Sequence, residues 1–579
     1  MIRQDKHSFK NGIIKTQIRV IEGYRDKDGK VKQRTIKNFG YLEDQKDVES
    51  FLKQVKEFDD KFKIQKKEKD ESFFIPLFKD DSSISQNYGY KFLECIYDSL
   101  KLNDFFRAID FRGQYSLNKM FKFLVIQRIL NPDSKRATMQ LIDSMYNTSF
   151  DFSLVDVYRS LSVFDHYKIE LQKHINDQIK KIIGRNNQYA YYDVTNYYCD
   201  IDLPDKEGLR QRGVSKEHRV DPIVQMGLFM DDNGLPISMS LFSGNTADCK
   251  TLQPIMMEIK KNYELNRIVA VADKGLNSNS NIDYIVNNGD GYVVSQILRG
   301  KKGKRYQEKL FNEQAYTYNS THTFKYQEFI EDYEITNKDG KKETKQRKVL
   351  IYWKYEDAIM EAKKREDKLS RALKSLGNNA FAIKHAYDEY IKEIHYLVDT
   401  GEVADKTQRV IDEEKANIDA LYDGYFCIIT SELDYDFSKI IKTYSNLWRI
   451  EETFKITKSN LDFRPMYVST EEHINGHFII CFVALLILRM LQYKMNYSLS
   501  IERIVKVLTT CRCTIDEKKI IRLIRNESTK KYNESKLTIE DEDEVMNDYI
   551  KILNCFKKEI PYSKYQKKDF DDYLNEIEY

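Results

Sequence analysis

The sequence predicts an α/β multidomain chain: a core rich in strands, interrupted by a large insertion, with helical flanking regions and a basic β-hairpin ahead of them. Three observations carry that expectation. The 579 residues exceed what one hydrophobic core can organise. The hydrophobic pattern changes along the chain from helical spacing to strand-like runs and back. Two apolar runs, "QYAYYDVTNYYCD" and "LNRIVAVAD", carry a carboxylate at the strand end.

Apolar and charged fractions of 41% and 32% exclude a disordered chain. Lys+Arg 94 against Asp+Glu 91 is nearly balanced, so only local clustering can indicate a nucleic-acid partner. The first forty residues supply it, with eleven Lys/Arg and four Asp/Glu. Eight scattered cysteines suit a reducing compartment, and the lone pair Cys511 and Cys513 reads as separate buried thiols rather than a zinc site. No apolar run follows the basic N-terminal residues, so no signal peptide is expected. "HFIICFVALLILRML" is interrupted by Arg489 and is too short to span about 30 Å of hydrocarbon, so it predicts a buried helix and no membrane partner.

Residues 1–75 are expected to hold a hairpin, "IKTQIRVIEGYR" and "VKQRTIKNF" joined through Asp28-Gly29, then a charged helix from about Asp47 to Glu71. One hairpin face offers Lys15, Arg19, Lys32 and Arg34, which either lie along a phosphate backbone or form a solvated face. Residues 76–185 keep helical spacing, as in "LNKMFKFLVIQRIL", and break at Asn131-Pro132. From 186 to 300 the chain reads as three antiparallel strands, a helix and two buried strands. Residues 301–425 form an insertion of charged strands and long charged helices. Residues 426–497 return to the core, and residues 498–579 read as a helical C-terminal region.

The chemistry lies in "YSNLWRIEETFKITK". At about 100° per residue, a continuous helix places Tyr444, Glu451 and Lys458 on one stripe, bordered by the apolar stripe of Ile450, Phe454 and Leu461. Asp193 and Asp273 at strand ends, with Glu451 on this helix, form a set of hard oxygen donors suited to two Mg²⁺ ions, with Mn²⁺ as substitute. In-line phosphoryl transfer needs little more than such positioning and positive charge. Each residue also has a plain structural role available: a turn or cap for the aspartates, a surface charge for Glu451 or Glu452. The histidines of "HINGH", His473 and His477, lack the Glu of H-E-x-x-H and read as structural.

The residues 444–458 resemble the signature of the insertion-sequence transposases that have an RNase H-like DDE core and a Tyr-Arg-Glu-Lys motif. Tyr444, Glu451 and Lys458 match its register, and Leu447 stands where the arginine belongs. "YRDKDGKVKQRTIKNFGYLE", "YYDVTNYY", "SGNTADCKTLQP", "VADKGLNS" and "FRPMYVSTEEHINGHFIICFVALLILRML" are similar to the same family. The resemblance implies an RNase H-like catalytic core interrupted by the insertion. It implies metal-dependent cutting of double-stranded DNA at an element's terminal inverted repeats, joining to target DNA, a homodimer or higher assembly on DNA, and a cytoplasmic, nucleoid-associated bacterial enzyme. By it Asp193, Asp273 and Glu451 are the metal ligands, and Tyr444 and Lys458 grip phosphates. On a continuous helix Lys455, about 20° from Tyr444, is the better stand-in for the missing arginine, since Arg449 falls about 140° away. Lys216, His218 and Arg219 of "RGVSKEHR" either meet DNA or are surface charge, and Trp353 of the insertion is a candidate for stacking on an unpaired base. The rival readings are a DNA-binding protein that has lost its chemistry and a nuclease that cuts without joining.

Overall fold

The computed structural model describes residues 2–8, 14–25, 31–45, 47–59, 85–185, 188–216, 219–263, 267–376, 389–396, 406–516, 518–524 and 539–579. The chain divides into two compact units, Met1–Ile84 and Ser85–Tyr579.

The first unit contains the expected hairpin, Ile14–Arg25 with Val31–Tyr41, and a strand the sequence reading missed, Ile2–Ser8, which pairs with its first arm. Alternation turns Ile18 and Val20 inward, where they meet Phe51 and Val55 of a helix over residues 48–59. The expected continuation of that helix to Glu71 lies outside the described residues. The shared basic face does not run along the whole hairpin. The register sets Lys32 opposite Tyr24 and Arg34 opposite Glu22, even positions of the first arm, whereas Lys15 and Arg19 occupy odd ones.

The second unit is built on a nine-stranded sheet. Tyr189–Tyr198, Ile223–Met230 and Pro236–Ser243 form an antiparallel meander. Val269–Ala272 pairs parallel to the first of these, and Gly291–Ser295 continues in parallel. Tyr425–Thr430 then adds an antiparallel strand, and the insertion's hairpin, Phe324–Thr336 with Lys342–Lys354, joins that same edge, so the insertion lengthens the sheet. Both faces are covered. On the strand Tyr189–Tyr198, Tyr191 and Tyr197 point into the larger core while Ala190, Tyr192 and Val194 point into the other.

The helices of residues 90–183 pack in the larger core around Glu471–Lys494. This is the one helix among the described residues long and apolar enough to cross a membrane, and its apolar window is entirely buried in protein. The C-terminal region corrects the all-helical expectation. Arg512–Ile515, Ile520–Ile524 and Lys564–Gln566 are strands, and they form a sheet with Gln86–Asn87. Their β-branched residues flank a tight turn at Asp516, whose carboxylate accepts from the Ile520 N–H. Runs of four and five residues are too short to show a period.

Candidate active site

Parallel pairing of Tyr192 with Ala272 makes Asp193 and Asp273 the next residues on neighbouring strands. Strands lie about 4.8 Å apart, so the two residues stand side by side, but only Asp273 follows a strand end: the strand of Asp193 runs on to Tyr198, paired with Ile223–Met230, which corrects the expected strand end. Asp193 shares its face with Tyr191 and Tyr197. Tyr191 accepts a hydrogen bond from Asn446 at 3.4 Å, and Tyr197 meets the Thr457 hydroxyl at 2.7 Å. Asp193 is therefore flanked by contacts to both ends of the segment carrying the signature. Burial pushes its carboxyl up to about 6, against the pull of Lys216 and the Val194 N–H, and neighbouring Asp273 and Asp248 push the same way. Ser295 and Tyr444 donate to Asp273 Oδ1 at 2.9 and 3.2 Å.

The signature is not one helix. Phe437–Ser445 ends, the chain turns at Asn446 and Leu447, and a second helix runs Trp448–Ser459. Both turn residues keep helical dihedrals, but the N–H groups of Leu447, Arg449 and Ile450 each bond three residues back, to Tyr444, Asn446 and Leu447. This tightened turn rotates the second helix against the first. The stripe argument therefore survives from Glu451 to Lys458 and fails for Tyr444 with Glu451, and the angles assigned to Lys455 and Arg449 relative to Tyr444 fail with it.

The parts still meet at the carboxylates, by different routes. Tyr444 reaches Asp273 with its hydroxyl, half-buried, and burial raises its ionisation well above the ordinary phenol range. Lys458 lies over the Tyr197 ring at 5.9 Å, and its ammonium is held below the usual lysine range by burial and by the charge of Lys216, with Asp193 opposing. Glu451 stands apart: it is exposed, and among the described residues no three His, Cys, Asp or Glu side chains gather closely enough to hold an ion. The aspartates fit a hard divalent cation, being two partly buried carboxylates on neighbouring strands, the charge of one raising the other. Glu451 faces the side of its helix that carries Lys458, about 10 Å further along the axis.

The remaining candidates are distributed as follows. Lys216 Nζ donates to the Val194 carbonyl and lies 3.9 Å from Asp248, a carboxylate the sequence reading did not single out. Arg219 pairs with Asp221 at 2.6 Å and covers the Tyr198 ring at 3.9 Å; His218 lies outside the described residues. Lys455 is exposed on the Glu451 side of the helix. Leu447 is 6% exposed, so the position of the missing arginine is buried. Arg449 donates to the Asp232 carbonyl at 2.6 Å. Trp353 is structural in its contacts: its indole N–H donates to the Asp423 carbonyl at 3.0 Å, and its ring joins Tyr316, Tyr318 and Tyr425 around Lys325, which pairs with Glu313. In the first unit Lys15 pairs with Asp44 and Arg19 with Asp5; the side chains of Lys32 and Arg34 lie outside the described residues. Cys511 and Cys513 are buried free thiols, as expected.

A cleft of about 580 Å³ opens beside the site, lined by Asp273, Ser295, Tyr352, Lys354, Tyr425 and Tyr444. Its wall combines the core edge with the insertion hairpin, so it is invisible until the two are paired. A larger cavity of about 960 Å³, among Glu94, Phe106, Lys122 and Phe150, holds none of the candidate residues.

The family model of the transposase DDE domain matches residues 205–487, a span that includes Asp273 and Glu451 and begins just after the strand of Asp193. That match, on a mixed α/β fold, gives the chain a transposase DDE domain, a domain of nucleases and strand transferases that act on DNA and generally use divalent metals. The model of the IS1634 family transposase N-terminal domain matches residues 2–70. Together they identify an insertion-sequence transposase with an N-terminal domain of the IS1634 family. No curated protein matches the chain.

Proposed function

We propose that the chain hydrolyses one DNA strand at each end of an insertion sequence and joins the freed 3′ hydroxyls to target DNA, acting as a dimer or higher assembly on DNA in the bacterial cytoplasm. The observation that carries this reading is the placement of Asp193 within one strand and Asp273 just after its parallel neighbour, at the same level, with Tyr444 bonded to Asp273 and Lys458 facing Asp193. The core's antiparallel meander followed by two parallel strands supports an RNase H-like assignment.

In this reading Asp193 and Asp273, with Glu451 as third carboxylate, would hold two Mg²⁺ ions, whose chemistry when bound would be activation of the attacking oxygen and stabilisation of the leaving one. Tyr444 fixes the Asp273 carboxylate. Lys458 and Lys216 bring positive charge to the phosphate beside Asp193. Lys455 and Arg219 extend the charge along the DNA, and Lys15, Arg19, Lys32 and Arg34 belong to the unit that recognises the element ends. Tyr444, Glu451 and Lys458 support membership of the Tyr-Arg-Glu-Lys group, and a DNA hairpin is the route that group implies for second-strand cutting.

A strand-transfer assay on the element's own ends tests the reading. Joined product with Mg²⁺, lost in Asp193→Ala and Asp273→Ala while end binding persists, is expected. Joining by Asp193→Ala at the unmutated rate would sink it, and cutting without joining would make the protein a plain nuclease.

A further inference from the structure

Arg489 is the one charged residue well inside the longest buried helix, at 1% exposure, and burial lowers its hold on its proton, against the pull of Glu452. A guanidinium in such a place needs several partners to offset its lost hydration. It finds most of them on the first turn of the signature helix. Its Nε donates to the Thr453 hydroxyl at 3.1 Å, Nη2 to the Arg449 carbonyl at 3.1 Å, and Nη1 to the Glu452 carboxylate at 3.0 Å. Gln492, one turn along its own helix, accepts a second bond from Nη1 at 2.7 Å, and Nη2 also donates to the Thr453 hydroxyl at 2.5 Å. Thr453 closes the network by donating to the Arg449 carbonyl at 2.7 Å.

The three residues it holds surround Glu451 in sequence. Arg449, whose carbonyl Arg489 holds, is fixed a second time by its own side chain, which donates to the carbonyl of Asp232 in the turn between two core strands. The helix starts at a tightened turn and has no side-chain cap, so its rotation is not fixed by its own N-terminus. A rotation of one residue's worth, about 100°, would turn Lys458 away from Asp193.

We propose that Arg489 and Glu452 are a positioning pair for the transposase reaction, setting the rotation at which the signature helix, which also carries Glu451, presents Lys458 to the aspartates. This rests on the active-site reading above. Neither residue touches the reacting atoms. A fork with three differently directed bonds fixes rotation as a single point charge cannot, so lysine at 489 keeps the charge and loses the setting.

The test is single-turnover cleavage of a pre-bound end substrate by Glu452→Gln, Arg489→Lys and Asp193→Ala, with melting temperature and end affinity measured alongside. Positioning predicts a rate constant lowered 10- to 100-fold in Glu452→Gln and Arg489→Lys, the cost of small misplacements of reacting groups, with the amplitude of the reaction and the end affinity retained. A merely structural pair would lower the amplitude and the melting temperature and leave the rate constant of the folded fraction unchanged, which overturns the proposal. Glu452 is partly exposed, so Glu452→Gln keeps the test open if Arg489→Lys does not fold. Loss of cleavage in Asp193→Ala with unchanged rate constants in the other two overturns this proposal alone. Unmutated cleavage by Asp193→Ala removes the site reading and this one with it.

Discussion

Lys135 is 4% exposed and its Nζ approaches His477 Nδ1 at 3.0 Å, so burial pulls its ammonium down to about 7 and holds the His477 imidazole well below its ordinary range. The unfolded chain binds a proton at Lys135 up to about pH 10.4, while the folded chain releases it near 7. Unfolded protein therefore holds more protons between those values, and stability should rise with pH across that window. In Lys135→Met the rise should flatten and the melting temperature at pH 7 should increase, by roughly 1–3 °C for a chain of this size; a scan showing the same slope in both proteins would place the charge elsewhere. The helical spacing of His473 and His477 was visible in the sequence, but the lysine that faces His477 comes from 342 residues earlier and was not. Lys458 makes a second prediction at this scale. Lys458→Met should weaken end binding and reduce the salt slope by about one, the signature of one lost phosphate contact.

The segment from Tyr444 to Lys458 shows what an element can hide. Its composition is helical throughout, and a period of 3.6 gives no warning that three bonds tighten around Asn446 and Leu447. Tyr444 was assigned to phosphate on a stripe that the turn breaks, and it instead reaches a carboxylate. The same turn explains Leu447. It packs inward, so Leu447→Arg should not restore a signature arginine but bury an unpaired guanidinium. A drop in melting temperature of several degrees without faster cleavage is expected, and a faster, equally stable variant would show that the position can face DNA. The strands were the legible part, because the apolar runs carrying Asp193 and Asp273 mark themselves in one dimension, although only the second run ends at its aspartate. Their adjacency depends on parallel pairing across two intervening strands and a helix, and the cleft beside them depends on a hairpin entering the sheet from the insertion. Neither distance is written in a local pattern.

At the scale of the molecule, the two units differ in what supports them. The first closes over Ile18, Val20, Phe51 and Val55, a small core of the kind that leaves a domain marginal. Calorimetry of the full chain should show a separate, earlier transition that is absent from a protein lacking residues 1–84, and that shortened protein should lose end recognition. A single coincident transition would mean the units stabilise each other. The second unit was read as successive domains because its periodicity changes at about residues 185, 300, 425 and 497, yet one continuous core runs from Tyr88 to Ile577. Gln86–Asn87 completes a sheet with strands from beyond residue 510, the Asn87 amide donates to the Leu508 and Thr509 carbonyls, and Tyr146 donates to Asp571. A stop codon late in the gene would thus remove partners of the first helices rather than trim an appendage. Decayed genomic copies cut short there should yield no folded product able to occupy the ends of intact relatives, and would leave the mobility of those relatives untouched.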